Sequence, residues 1–161
     1  MADKLPIVLY SGVPKEIDST DSIPVANGGV DQNGFTAYTP TLTNMTLGNG
    51  TLACKYKMLT KKTCLVRFVF VLGSTSTVGT IPAFTLPFTS VSTPMTQFPL
   101  GVFGLYNNTT GVSSFGIAFW TNTTGCAIYN LTSPMTAITA TVPFTWTTNF
   151  AITGEFIYEI A

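Results

Sequence analysis

Carboxylates are the side chains of this sequence that could most readily perform chemistry. Glu155 and Glu159 differ by an even number, so they share one face of an extended segment. At the rise of a β-strand they lie about 13 Å apart, whereas a glycosidase pair needs about 5–9.5 Å. Asp18 and Asp21 lack the alternating acidic series of a calcium loop. We therefore expect solvated carboxylates, no metal site and no cofactor.

Histidine is absent from the 161 residues. This absence removes the commonest general base, the usual zinc ligand and every Ser-His or Cys-His nucleophile pair. The composition therefore excludes most hydrolases.

The clearest structural signal is a period-two alternation over residues 51–72. Apolar side chains occupy the even positions on both sides of a polar break at residues 60–62, and lysines and Arg67 occupy odd positions. Side chains that are directly opposite in an antiparallel pair share a face. The pattern predicts a hairpin whose even positions face the core, with the opposed pairs Met58 and Cys64, Tyr56 and Val66, and Cys54 and Phe68.

Three cysteines, Cys54, Cys64 and Cys126, cannot all pair with one another. In the predicted hairpin, Cys54 and Cys64 are about 13 Å apart along the ladder, and a disulfide needs Cα atoms within about 7 Å. We expect three buried free thiols and a reducing compartment.

The rest of the chain favours further short strands. Turn-forming Asn, Thr, Gly and Pro clusters separate apolar runs at residues 100–106, 112–120 and 126–131. Residues 83–87 and 151–160 add two more runs, and no helical period of useful length is present. The predicted fold is all-β, an antiparallel β-sandwich or jelly roll formed by residues 35–161.

Residues 1–34 differ from this domain and are predicted to form an extended N-terminal arm. Glycines and prolines interrupt the apolar positions, which prevents a long internal strand. Fully extended, the arm would reach roughly 110 Å. Alternatively, residues 5–10 and 23–26 are edge strands of the same sandwich. We expect arm contacts to a neighbouring subunit or a larger shell through Leu5, Ile7, Leu9, Ile17 and Ile23.

Charge is scarce and unevenly distributed. Seven basic and seven acidic residues balance, and none lies in residues 68–154. A net charge near zero favours association and does not favour nucleic acid as a partner. No apolar run reaches the roughly 18 residues of a membrane span, and no secretory signal is evident, so we expect no membrane partner and synthesis in a cytoplasm.

Aromatic residues offer one binding alternative. Trp120 and Trp146, together with Tyr106, Phe119 and Phe144, are candidates for stacking on a sugar ring. Core packing is the competing interpretation for most of them.

An ordered series of segments resembles a known module. It comprises residues 38–43 (YTPTLT), 47–52 (LGNGTL), 55–57 (KYK), 66–68 (VRF), 72–77 (LGSTST), 84–87 (FTLP) and 143–146 (PFTW). About two thirds of the chain is similar to the β-sandwich module that tailed bacteriophages place at tail-fibre tips and on capsids. Thr60-Lys61 replaces the module's common Gly-Lys turn, and Thr148-Asn149 replaces its common Gly-Asp.

The resemblance implies a non-enzymatic virion protein that is often a homotrimer. A short arm without a collagen-like or coiled-coil shaft favours a capsid cement or decoration protein. Its partners would be its own copies and the phage major capsid protein, and it would lie on the capsid surface after synthesis in the host cytoplasm. The alternative is a receptor-binding tip of a tail fibre or head fibre that binds a host-surface glycan.

Overall fold

The computed structural model describes residues 34–91, 99–111 and 113–161, together with the backbone of residues 7–10 and 13–16. The regular structure in these residues is entirely β, which confirms the predicted class. The strands are β1 (Ile7–Tyr10), β2 (Val13–Glu16), β3 (Thr36–Tyr38), β4 (Leu42–Thr46), β5 (Thr51–Thr60), β6 (Thr63–Val71), β7 (Thr77–Thr85), β8 (Pro99–Tyr106), β9 (Ser113–Asn122), β10 (Gly125–Asn130), β11 (Thr136–Ala137) and β12 (Ala151–Glu159).

Ten strands form one antiparallel sheet in the order β3-β5-β6-β12-β8-β9-β10-β7-β4, with β11 paired to β10. The last strand in the chain, β12, therefore lies at the centre of the sheet, between β6 and β8. Strands β1 and β2 pair with each other in a separate two-stranded sheet.

The large sheet curls around one aromatic core. Phe68 of β6 stacks on Phe84 of β7 with ring centroids 4.2 Å apart, although four strands separate β6 from β7 in the sheet. Phe103 of β8 and Phe156 of β12 pack against the same rings. The concave surface must therefore close on itself, as in the predicted jelly-roll-like class.

The β5–β6 hairpin has the predicted register. Met58 opposes Cys64, Tyr56 opposes Val66 and Cys54 opposes Phe68. On β6 all four even positions are fully buried: Cys64, Val66, Phe68 and Phe70. The alternation fixes the register because a slip of one residue would turn these side chains to the outer face.

Strands β8, β9 and β10 form the predicted meander, but β7 is longer than the sequence indicates. The predicted segment 83–87 covers only the C-terminal part of β7 and extends two residues beyond its end, because Pro82 and a left-handed Ile81 (φ 56°) divide this strand. Both halves of β7 pair with β4, and the ladder has a bulge between them, where Asn44 of β4 stands opposite residues 79–82 of β7. The Asn44 Nδ2 donates a 2.7 Å hydrogen bond to the Thr80 carbonyl and so fixes the bulge.

A glycine permits the central strand to pack against the aromatic core. Gly154 of β12 opposes Phe103 of β8, and a Cβ at Gly154 would lie 2.5 Å from the Phe103 ring. Any larger residue would displace this ring.

Residues 86–91 cross one end of the curled sheet as a strap. The Phe88 amide donates a 3.1 Å hydrogen bond to the Tyr158 hydroxyl, which donates a 3.0 Å hydrogen bond to the Phe88 carbonyl. The Ser90 amide donates to the Thr123 carbonyl at 2.7 Å. These bonds connect β12 with the β9–β10 turn and close this end of the core.

Most of the predicted arm lies outside the described residues, including Leu5, Ile17 and Ile23. Ile7 and Leu9 belong to β1, where they oppose Glu16 and Pro14 of β2. The contacts expected for these five residues stay predictions.

Candidate interaction surface

The sheet divides into two parts by charge. The charged half consists of β3, β5, β6 and β12, and the uncharged half consists of β8, β9, β10, β11, β7 and β4. The sequence reveals the long uncharged span, but only the strand order shows that the two charged segments are neighbours, because β12 pairs with β6. The charged half and its β5–β6 turn carry all seven charges of residues 35–161: Lys55, Lys57, Lys61, Lys62, Arg67, Glu155 and Glu159.

One ion pair crosses the outer face of the charged half. Arg67 and Glu155 are opposed in the β6–β12 ladder, and the Arg67 Nε contacts the Glu155 carboxylate. The Arg67 guanidinium also lies 4.1 Å from the centre of the Phe35 ring. Because both charged side chains are about half exposed, solvent screens this pair.

The uncharged half exposes an apolar outer face, formed by the outward positions of β8, β9 and β10. Strand alternation turns Phe103 and Ala118 into the core and turns their neighbours outward. Phe115 is 61% exposed and Val102 is 53% exposed. We define the apolar face as Val102, Gly104, Tyr106, Phe115, Ile117, Phe119, Tyr129 and Leu131.

The backbone ladders make this face continuous. Val102 opposes Ile117, and Ile117 opposes Tyr129, so three side chains form one row across three strands. In the adjacent row Gly104 opposes Phe115, and the Leu131 amide donates to the Phe115 carbonyl at 2.7 Å. An exposed ring therefore stands beside a position that has no side chain. A partner surface can cover Phe115 and fill the depression at Gly104 in one contact.

The dimensions of the apolar face follow from strand geometry. Three strands at about 4.8 Å spacing, each with about six residues at about 3.3 Å, cover roughly 15 by 20 Å, or about 300 Å². Apolar patches of about 300–600 Å² on a protein surface are often functional. The apolar face is large enough to be a binding site.

No family model, curated protein or solved structure matches this chain. The phage-module identity inferred from the sequence therefore stays a prediction.

Trp120 and Trp146, the candidates for sugar stacking, lie at opposite ends of the strands. Trp120 is 8% exposed and opposes Cys126 at the beginning of β10. Trp146 follows β11, donates its indole N–H to the Thr139 carbonyl at 2.9 Å and packs edge-on against Phe144. The structure does not bring Trp120 and Trp146 into one site. Sugar stacking by either residue stays a prediction.

The cysteines are free and buried, as predicted. Burial raises the pKa of the Cys54 thiol and the Cys64 thiol to about 11, and it raises the pKa of Cys126 well above its ordinary value. At neutral pH these groups are therefore protonated small apolar side chains and poor nucleophiles.

Neither a metal cluster nor a membrane helix occurs in the described part of the chain. No three His, Cys, Asp or Glu side chains in this part lie close enough to hold a metal ion. It also contains no helix with the length and hydropathy of a membrane span. Glu155 and Glu159 are both exposed, as expected for solvated carboxylates.

The sequence did contain a signal for the apolar face. In residues 115–120 (FGIAFW), the odd positions are as apolar as the even positions. Strands that are covered on both faces have such continuous apolar runs, whereas a strand with one wet face alternates. The run therefore indicated that a second layer covers β9, and none of the described residues forms such a layer on this side.

Proposed function

We propose that this protein is a structural subunit of a phage virion, a capsid cement or decoration protein. Its copies associate as a homotrimer through the apolar face, and its arm contacts neighbouring copies and the major capsid protein. The observation that supports association of the copies is the uncharged, apolar outer face of β8, β9 and β10. The phage and capsid parts rest on the motif resemblance.

The energetics favour association but require a second contact. Three faces of about 300 Å² that meet at a three-fold axis bury about 900 Å² in total, or about 300 Å² per interface, which at about 25 cal/mol/Å² gives roughly 22 kcal/mol before costs. Association costs about 4–15 kcal/mol, and a typical stable interface buries about 1,600 Å². The apolar face alone is therefore too small for a stable assembly, which needs additional buried interface area. The arm is the part of the chain that can supply this area.

A receptor-binding fibre tip is the second candidate. The observation that favours it is a group of rings at the end of the sheet opposite the strap. Trp146 packs edge-on against Phe144 at 4.9 Å, and Phe144 packs against Phe150 at 5.4 Å. Trp146 is only partly buried, so part of its side chain is accessible to a glycan.

The test of assembly is the molecular mass of the wild type and of Phe115→Asp, measured by light scattering over a range of protein concentrations. We expect a trimeric wild type and a variant that dissociates, because an aspartate would be buried without a partner. Thr46→Asp is the control, since Thr46 is exposed on β4 and lies outside the apolar face. A monomeric wild type would contradict the proposal.

Capsid and glycan binding separate the two candidates. Cement function predicts that the protein binds purified capsids that lack it and that virions contain hundreds of copies by mass spectrometry. A tip predicts a few copies per virion and a hit on a glycan array that Trp146→Ala abolishes.

A further inference from the structure

The arm and the domain carry opposite net charges. Residues 1–34 contain two basic and five acidic side chains, a net charge of −3. Residues 35–161 contain five basic and two acidic side chains, a net charge of +3. The neutrality of the whole chain therefore conceals an acidic segment and a basic domain. The acidic side chains of the arm are Asp3, Glu16, Asp18, Asp21 and Asp31.

Four lysines concentrate the positive charge of the domain on one hairpin. Lys55 and Lys57 lie at outward positions of β5, and Lys61 and Lys62 form its turn to β6. In the described part of the chain, the ion pair joins Arg67 to Glu155, and none of these four amines has a carboxylate within ion-pair distance. We call Lys55, Lys57, Lys61 and Lys62 the lysine hairpin.

The lysine hairpin also has an open backbone edge. Strand β3 pairs with only three residues of β5, Cys54, Lys55 and Tyr56. Beyond Tyr56, the side of β5 that faces away from β6 has no ladder partner among the described residues. An extended segment can therefore add backbone hydrogen bonds there while its side chains meet the lysines.

The arm joins the domain beside this surface. The domain begins at Gly34 and Phe35, and the Phe35 ring packs against Arg67 in the charged half. At about 3.3 Å per residue, Asp18 and Asp21 can lie roughly 45–55 Å from Phe35. A domain of this length has a diameter of roughly 35 Å, so the arm is long enough to extend beyond its own domain.

We propose that the acidic arm of one subunit lies along the lysine hairpin of the neighbouring subunit. This inference rests on the proposed trimer. A cyclic trimer has heterologous interfaces, in which each subunit offers one surface and receives a different, complementary one. An acidic arm and a basic hairpin edge form such a pair, and three of these contacts close a ring.

The first experiment reverses the charge of the lysine hairpin by replacing its four lysines with glutamate. At about 50 mM salt we expect trimer dissociation at a protein concentration at least about tenfold higher than for the wild type, because three or four screened pairs become repulsive. Replacing the same lysines with glutamine should give an intermediate effect. Circular dichroism and thermal unfolding report whether each variant is folded.

Charge exchange within one chain is the decisive control. Adding Asp18→Lys, Asp21→Lys and Asp31→Lys to the four glutamate substitutions restores opposite charges on the two surfaces. We expect recovery of trimer stability to within about threefold of the wild type. A structural defect of the hairpin would not be rescued by changes in the arm, so failure of rescue would overturn the inference.

The second experiment identifies whose arm occupies the hairpin. Unlabelled and ¹⁵N-labelled protein are unfolded, mixed, refolded and treated with a carbodiimide. The reagent couples a carboxylate to a lysine amine as an amide and takes up the lost water as a urea. Arm–hairpin peptides of mixed isotope composition, near half of the total, are expected. Like-isotope peptides alone would show that each arm covers its own domain and would overturn the inference.

The two proposals fail in different ways. A monomeric wild type contradicts the trimer itself. A trimer whose stability is unchanged by the four glutamates, or that gives no arm–hairpin peptides, contradicts only the docking of the arm.

Discussion

The charged and uncharged halves of the sheet contribute alike to the interior but differ on the outside. Phe68 of the charged half and Phe103 of the uncharged half are both fully buried in the shared core. Outside, the charged half has lysines and an Arg67–Glu155 pair, whereas the uncharged half has Val102 and Phe115 more than half exposed. Both halves need apolar side chains in the core, so their interiors are alike. The different outer faces indicate that the two halves make different contacts.

This difference indicates two kinds of contact on one domain. An apolar face forms stable contacts when it is covered, and its partner must exclude water. A charged edge is stable in water and can exchange partners as salt changes. In the proposed trimer, the apolar face holds the subunits together and the charged edge binds the arm.

The largest expected effect tests whether the two halves share one core. Phe68→Ala and Phe103→Ala should each lower the free energy of unfolding by about 3–5 kcal/mol, because each removes a buried ring from the same cluster. Denaturant titration at fixed protein concentration measures both. Lys57→Ala is the control and should cost less than about 0.5 kcal/mol. A large loss at only one of the two phenylalanines would contradict a common core.

A smaller effect should appear at alkaline pH. The Cys54 and Cys64 thiols have a pKa of about 11 in the folded protein, raised by burial from the ordinary value of 9.0. Their contribution to stability is complete below pH 9 and is lost between pH 9 and 11, since the unfolded chain ionises first. We expect the free energy of unfolding to fall by about 1–3 kcal/mol by pH 10.

Denaturant titration from pH 7 to pH 10 measures this loss. The double variant Cys54→Ala, Cys64→Ala is the control and should have a flatter profile. An identical pH profile in the wild type and the double variant would contradict the assignment to these thiols.

The smallest effect concerns the ion pair on the outer face. Glu155→Gln should change the free energy of unfolding by less than about 1 kcal/mol, because both partners are half exposed and screened by solvent. Glu159→Gln is the matched control on the same strand. A double-mutant cycle with Arg67→Gln gives the coupling energy directly. A coupling well above 1 kcal/mol would show that this pair is shielded in the assembly.

Local alternation predicted the parts of the fold in which neighbours in sequence are neighbours in the sheet. The β5–β6 hairpin and the β8–β9–β10 meander belong to this group, and the hairpin has the expected register. The free thiols followed from this register, because it separates Cys54 from Cys64.

Long-range pairing could not be predicted in this way. The contact between Phe68 and Phe84 depends on the curling of the whole sheet, and the pairing of Arg67 with Glu155 joins residues 88 positions apart. The β4–β7 bulge depends on a left-handed Asn44 and Ile81, and Ile is a residue type that rarely adopts this conformation. The sequence shows the apolar face only as an excess of apolar residues. The strand order is needed to place these residues on one surface.

The position of β12 has a consequence for synthesis. This strand leaves the ribosome after every other strand, yet it joins β6 to β8 and so connects the two halves of the sheet. A nascent or truncated chain without residues 151–159 has two sheet fragments with open inner edges and an uncovered aromatic core. Incomplete chains would therefore be substrates for proteases and chaperones, and only subunits with β12 would enter an assembly.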